Sequence, residues 1–195
     1  MRIGTRNLLA GVALAALAMP ALADESGWYA GIGLGSSTAK GACDGVSGPG
    51  VSCDESDTAL KLYGGYQMNR HFAVEFGYAD LGKARASFAG FGDVSVGATG
   101  VEVLGVGILP INPAWSIYGK LGVFSWHVDA NDGTGLVGST SANGASLTYA
   151  GGIAYQATPH VALRAEYQQY SDVGDENTTG QGDIGVFALG LTYKF

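Results

Sequence analysis

Three histidines, two cysteines and six isolated charges are the residues of this chain that could carry chemistry. Ser125, His127 and Asp129 lie two apart, so on a strand they share one face. A hydroxyl, an imidazole and a carboxylate in that order could supply a nucleophile, its base and an orienting acid. The trio is purely local, and no His-x-Ser-Asn string accompanies it. His71 and His160 fall in short turns, where a polar residue usually serves solvation alone. Cys43 and Cys53 stand ten apart in a Gly/Ser/Asp-rich stretch with no histidine near, too few ligands for zinc. In an oxidising compartment they close a loop through a disulfide. No catalytic residue, metal set or cofactor is expected, and the chain is not read as an enzyme.

The six charges are Lys61, Lys120 and Arg164 against Glu75, Glu102 and Glu166. Each is flanked on both sides by apolar residues, aromatic residues or glycine, unlike the charge runs of a solvated face. Three positive and three negative groups on one side of a set of strands can neutralise one another. What positions them is therefore the central question.

The N-terminus sets the compartment. Arg2 and Arg6 precede an apolar run from Leu8 to Met19, followed by Ala21-Leu22-Ala23, the pattern of a cleaved secretory leader over 1–23. The mature domain then covers 24–195. Removing the leader leaves 8 basic and 17 acidic residues, a formal charge of −9. So acidic a chain has no clustered Lys and Arg with which to neutralise phosphates, which excludes a nucleic-acid partner. No mature segment is apolar over the roughly twenty residues a membrane helix needs.

From Trp28 onward the chain alternates with period two in eight segments. They start at Trp28, Thr58, Phe72, Gly97, Trp115, Ala145, Val161 and Gly185. One set of alternate positions holds Trp28, Ile32, Leu62, Phe76, Val103, Leu121, Leu147, Leu163, Leu189 and Leu191; the other holds small residues, tyrosines and the six charges. In a soluble eight-stranded barrel the polar face points outward. Here no position of the apolar set carries Asp, Glu, Lys or Arg, as a lipid-facing surface requires when a Lys or Arg at the bilayer midplane costs about 2–4 kcal/mol. The fold class is all-β: an eight-stranded antiparallel up-and-down transmembrane β-barrel.

The connections agree with that reading. Short turns at 69–71, 110–114 and 158–160 alternate with long loops at 37–57, 80–96, 127–144 and 171–182, as periplasmic turns alternate with extracellular loops in outer-membrane barrels. Trp28, Tyr66, Phe72, Trp115, Tyr155, Tyr193 and Phe195 gather at the short-turn end as an aromatic girdle, with Tyr78, Tyr149 and Tyr167 higher. The loops hold the acids Asp44, Asp54, Glu55, Asp57, Asp93, Asp129, Asp132, Asp172, Asp175, Glu176 and Asp183, without EF-hand spacing.

The strings Leu62-Tyr63-Gly64-Gly65-Tyr66-Gln67, Ile117-Tyr118-Gly119-Lys120-Leu121-Gly122, Ala150-Gly151-Gly152-Ile153-Ala154-Tyr155 and Leu189-Gly190-Leu191-Thr192-Tyr193-Lys194-Phe195, in this order and spacing, resemble the OmpA-type outer-membrane barrel family over 27–195. The resemblance implies an outer-membrane location, a role in envelope integrity and surface contacts, and no peptidoglycan tether, because the chain ends at the barrel. It also implies a gate of four interior charges. Glu75 and Arg164 fall on two of those positions, while Val106 and Ala154 occupy the other two, so the exchange partners are expected to be missing.

An eight-stranded barrel is just wide enough for side chains to fill. The expectation is a lumen plugged by Glu75, Arg164, Glu166, Lys120, Lys61 and Glu102, with Glu75–Arg164 as the central pair. A narrow low-conductance channel for small solutes is the alternative, and lipid A modification at His127 a further one. Partners expected are outer-membrane lipid and lipopolysaccharide, the insertion machinery through the strand ending in Phe195, and a host or cell-surface ligand at the loops.

Overall fold

The computed structural model describes residues 26–45, 48, 50–89, 92–133, 138–176 and 178–195. The leader read over 1–23 lies outside them. The described residues form β1 (Gly27–Ala39), β2 (Val51–Asp54), β3 (Ser56–Asn69), β4 (Phe72–Phe88), β5 (Gly92–Pro110), β6 (Trp115–Asp132), β7 (Thr140–Gln156), β8 (Val161–Asp175) and β9 (Gly180–Lys194). All neighbouring strands run antiparallel, and β1 pairs with both β3 and β9. With β4 paired to β5 as well, eight strands close into a barrel, and the edges that an open sheet would expose disappear. The short β2 adds to β4 above the closed part.

Alternation decides the two faces. Leu121 and Leu189 are 60% and 61% exposed, while Lys120 and Glu75 are 4% and 1% exposed. A continuous apolar exterior is stable only against lipid, and a fully paired backbone is what lets a strand cross lipid at all. The short turns lie at the lower end, where β1 begins and β9 ends.

At the upper end the strands outrun the sequence reading. Where loops were expected at 80–96, 127–144 and 171–182, β4 reaches Phe88 and β5 starts at Gly92, β6 reaches Asp132 and β7 starts at Thr140, and β8 reaches Asp175 and β9 starts at Gly180. The apolar pattern stops where lipid stops, but the hydrogen-bonded ladder continues into water. Two bulges punctuate this upper part. Between Asp80 and Lys83 strand β4 gains one residue over β5, with Gly82 in the left-handed region at φ 71°. Between Tyr170 and Val173 strand β8 gains one over β9, with Asp172 at φ 52°. Each extra residue swaps which alternate positions face the interior.

The wall is unequal in two places: the β3–β4 ladder ends at Leu60 and Asp80, although β3 begins at Ser56, and a longer break lies between β7 and β8. The β7–β8 ladder ends at Thr148 and Tyr170, although β7 begins at Thr140 and β8 runs to Asp175. Above that level a side-chain bond bridges the two strands, Ser146 Oγ donating to the Asp172 carbonyl at 2.8 Å.

Asp57 secures the upper end of β3. Its carboxylate accepts N–H groups from Thr58 and Lys83, both at 2.8 Å, and meets Arg85 at 3.5 Å. The two amides, helped by Arg85, hold its carboxyl below the usual carboxylate range. A depressed folded value means that this contribution is present above the ordinary Asp value of about 3.9 and is lost as pH falls through the folded one. Hydrogen exchange should therefore show the Lys83 amide losing protection in acid while Leu121, deep in β6, keeps its own.

Candidate functional site

The six inward charges meet as one chain of alternating sign. Arg164 donates to Glu75 at 2.9 Å; Glu75 accepts from Lys120 at 2.5 Å; Lys120 reaches Glu166 at 2.7 Å; Glu166 accepts from Lys61 at 2.7 Å; and Lys61 lies 3.5 Å from Glu102. Five strands contribute: β3, β4, β5, β6 and β8. Each of the four inner members has two partners of opposite sign, so none is left uncompensated in a low-dielectric interior. The whole is neutral.

Both ends of the chain are capped. At the upper end Glu102 accepts from Gln168 at 2.7 Å and from the Tyr170 hydroxyl at 3.1 Å. Gln168 also donates to Thr148 at 2.8 Å and accepts from Lys61. At the lower end the Arg164 guanidinium lies 5.1, 5.2 and 5.3 Å from the rings of Tyr29, Tyr63 and Tyr118. Electron-rich ring faces around a cation stabilise it. Tyr29 also donates to Glu75 at 3.0 Å.

Glycine makes room for these rings. Tyr29 stands opposite Gly65, Tyr63 opposite Gly31 and Tyr118 opposite Gly152 on neighbouring strands. A methyl group on Gly65 or Gly152 would come within 2.5–2.6 Å of the ring, and one on Gly31 would collide with Tyr63. The glycines thus let the tyrosines lie flat against the wall, leaving the axis to the charges.

Two cavities approach this layer. A lower one of about 220 Å³ reaches Tyr29 and Arg164. An upper one of about 460 Å³ has Ala98, Val128 and Val173 in its lining. No residue lines both. Between them lie the charge chain and a buried group including Phe124, Trp126 and Tyr170.

The family model for the OmpA-like transmembrane domain matches residues 23–195. The chain belongs to that family. Outer membrane protein A of Escherichia fergusonii is 34% identical over 196 residues, covering 96% of this chain and 53% of the relative. The chain thus spans about half the length of the curated relatives it matches. Among solved structures, Neisserial surface protein A aligns at TM-score 0.60 and 16% identity, over 87% of this chain and 99% of that one. Ail of Yersinia pestis, solved in complex with the heparin analogue sucrose octasulfate, aligns at TM-score 0.53 and 20% identity, over 87% and 99%. These two share the fold. The protein is a Gram-negative outer-membrane barrel.

The two gate positions that the resemblance leaves uncharged, Val106 and Ala154, each stand beside a charge on the next strand. Val106 stands directly opposite Lys120, and Ala154 directly opposite Arg164, with Glu166 two residues along and facing Gly152. Val106 and Ala154 instead pack with Tyr29, Ala73 and Tyr118 in a lower apolar cluster. Glu75 has a second cation in Lys120 at 2.5 Å, while among the described residues Arg164 is ion-paired with Glu75 alone in that charge chain. Glu75–Arg164 is its lower end rather than its middle, and Lys120 and Glu166 form the central link.

The other residues singled out fall into place separately. His127 lies near the upper end, its ring 2.6 Å from Asn143 and 3.2 Å from Asp129. No hydrogen bond joins it to Ser125 among the described residues. His71 lies in the β3–β4 turn, and His160 contacts the Lys194 carbonyl at 2.9 Å and stacks on Tyr193. Cys43 and Cys53 are disulfide-bonded with Cα atoms 5.8 Å apart. At the lower end Trp28–Tyr66, Trp115–Tyr155 and Tyr193–Phe195 pair with centroids 5.1, 4.8 and 5.3 Å apart, and Phe72 is exposed beside them. Among the described residues no acid cluster could hold a metal. Sequence reasoning missed Tyr29, Tyr63, Tyr118, Thr148, Gln168 and Tyr170. The available signal was an inward tyrosine facing a glycine on the next strand.

Proposed function

We propose that this barrel is a plugged structural protein of the outer membrane, contributing envelope integrity and surface contacts rather than a stable pore. The carrying observation is the neutral six-charge chain across a lumen whose upper and lower cavities share no lining residue, with only a small void of about 10 Å³ among the charges themselves. Reconstituted in planar bilayers, the protein is expected to show no long-lived conductance; a large steady channel would overturn the reading. The second reading, a narrow channel for small solutes, draws support from the lower cavity reaching Arg164. It requires that neutralising Glu75 and Arg164 together change the unit conductance.

Outer-membrane lipid and lipopolysaccharide are the partners of the apolar exterior, and the strand ending in Phe195 is the segment offered to the insertion machinery. Surface ligands meet the upper hairpins. Ail's bound sulfated sugar is a poor guide to their chemistry here, because this chain's extracellular end carries twelve acids, Asp80 among them, against Lys40, Lys83 and Arg85. Like charge suppresses such partners, so the contacts proposed are with neutral or basic surfaces.

A further inference from the structure

The upper cavity is out of keeping with its position. A mouth open to water needs polar walls, yet this one is lined by Leu81, Val94, Val96, Val128, Val173 and Ile184. It is blind, since the buried group including Phe124, Trp126 and Tyr170 lies beneath it. Its volume of about 460 Å³ falls within the range of small-molecule sites, about 300–1,000 Å³. Both bulges lie at its level and help to build it: the one in β4 turns Ala84 and Ala86 toward it, and the one in β8 brings Val173 in.

We propose that this vestibule binds a small, uncharged, apolar molecule, aliphatic or aromatic, arriving from outside the cell. The charged residues at its rim are already engaged. Glu55 accepts the Cys43 amide at 2.8 Å, Asp183 the Asp172 amide at 3.2 Å, Lys40 donates to Gln169 at 2.9 Å and Arg85 faces Asp57 at 3.5 Å. Of the hydroxyls in its lining, Ser37 donates to the Leu81 carbonyl at 2.6 Å, and Thr179 donates to the Gly180 carbonyl at 3.4 Å and accepts the Asp175 amide at 3.0 Å. A charged ligand would lose its hydration against these walls with no counter-charge in return. An apolar one replaces water that the walls hold poorly.

The probe is a neutral aryl diazirine, photolysed with the protein in lipid nanodiscs and mapped by peptide mass spectrometry. Outward residues such as Leu121 and Leu189 will be labelled in proportion to probe in the lipid and will not saturate. Peptides carrying Val96 and Val128 are expected to be labelled saturably and protected by excess naphthalene. Filling the vestibule with Ala86→Trp should cut that labelling by about tenfold or more, a loss of about 1.4 kcal/mol in affinity, and leave the outward labelling unchanged. Ala84→Trp is the second filling variant should the first not fold, with circular dichroism as the check. A carboxylate-bearing diazirine should label the vestibule about tenfold less than the neutral probe. Labelling confined to the outward face, unprotected by naphthalene, or equal with the charged probe overturns the proposal.

Discussion

Lys120→Met is expected to destabilise the folded barrel by about 3–5 kcal/mol, measured by urea unfolding in lipid vesicles. Lys120 is the only cation that joins the lower half of the chain to the upper, touching Glu75 at 2.5 Å and Glu166 at 2.7 Å. Without it, Arg164 still faces Glu75 and Lys61 still faces Glu166 and Glu102, so two cations are left against three acids and an excess negative charge stays buried beside Tyr63 and Tyr118, whose rings repel it. Methionine keeps the volume, so the loss reports charge rather than a cavity. The double variant Lys120→Met with Glu166→Gln restores neutrality and should recover a substantial part of the loss. Strict additivity of the two single effects would show that the two groups are not coupled.

The second large effect is expected at a glycine. Gly152→Val should cost about 1–3 kcal/mol through overpacking, because a Cβ there meets the Ala165 carbonyl and the Tyr118 ring, each at 2.6 Å. The ring has to leave the guanidinium it faces, so the tyrosine surround of Arg164 loses one wall along with the strain. The neighbouring Gly151→Ala is the internal control. Nothing lies within 4 Å of the methyl it would add, and it points to lipid, so melting should be unchanged. Equal effects at 151 and 152 would mean that strand propensity, not the Tyr118 contact, sets the need for glycine.

The lipid-facing surface was fully legible in the sequence, because a period of two needs no knowledge of neighbours: Leu121 and Leu189 declare their face from their own strands. Lower strand ends were legible for the same reason, since Pro110 and Pro159 punctuate the turns. The upper ends were not, because Phe88 and Asp132 continue a ladder after lipid has ceased to dictate side-chain type. Nor were the bulges, where one extra residue near Leu81 or Asp172 inverts the pattern with no compositional sign. The six charges could be placed inside and Glu75 paired with Arg164, but the other links of the chain could not be read. Whether Lys120 on β6 meets Glu75 on β4 depends on the stagger between strands that do not touch, which alternation alone does not encode. Reading Tyr118 against Gly152 would have recovered part of that stagger.

The broken ladder between β7 and β8 gives the molecule two mechanical regimes. Below Thr148 the cylinder is a hoop, whose girth cannot change without rupturing main-chain bonds all along a strand. Above it the same cylinder is a slit tube, held across the slit by the Ser146–Asp172 contact, a bond worth about 1 kcal/mol. Such a tube flexes by spreading its cut edges, so the mouth can widen for a bulky guest while the girth deeper in the membrane stays fixed.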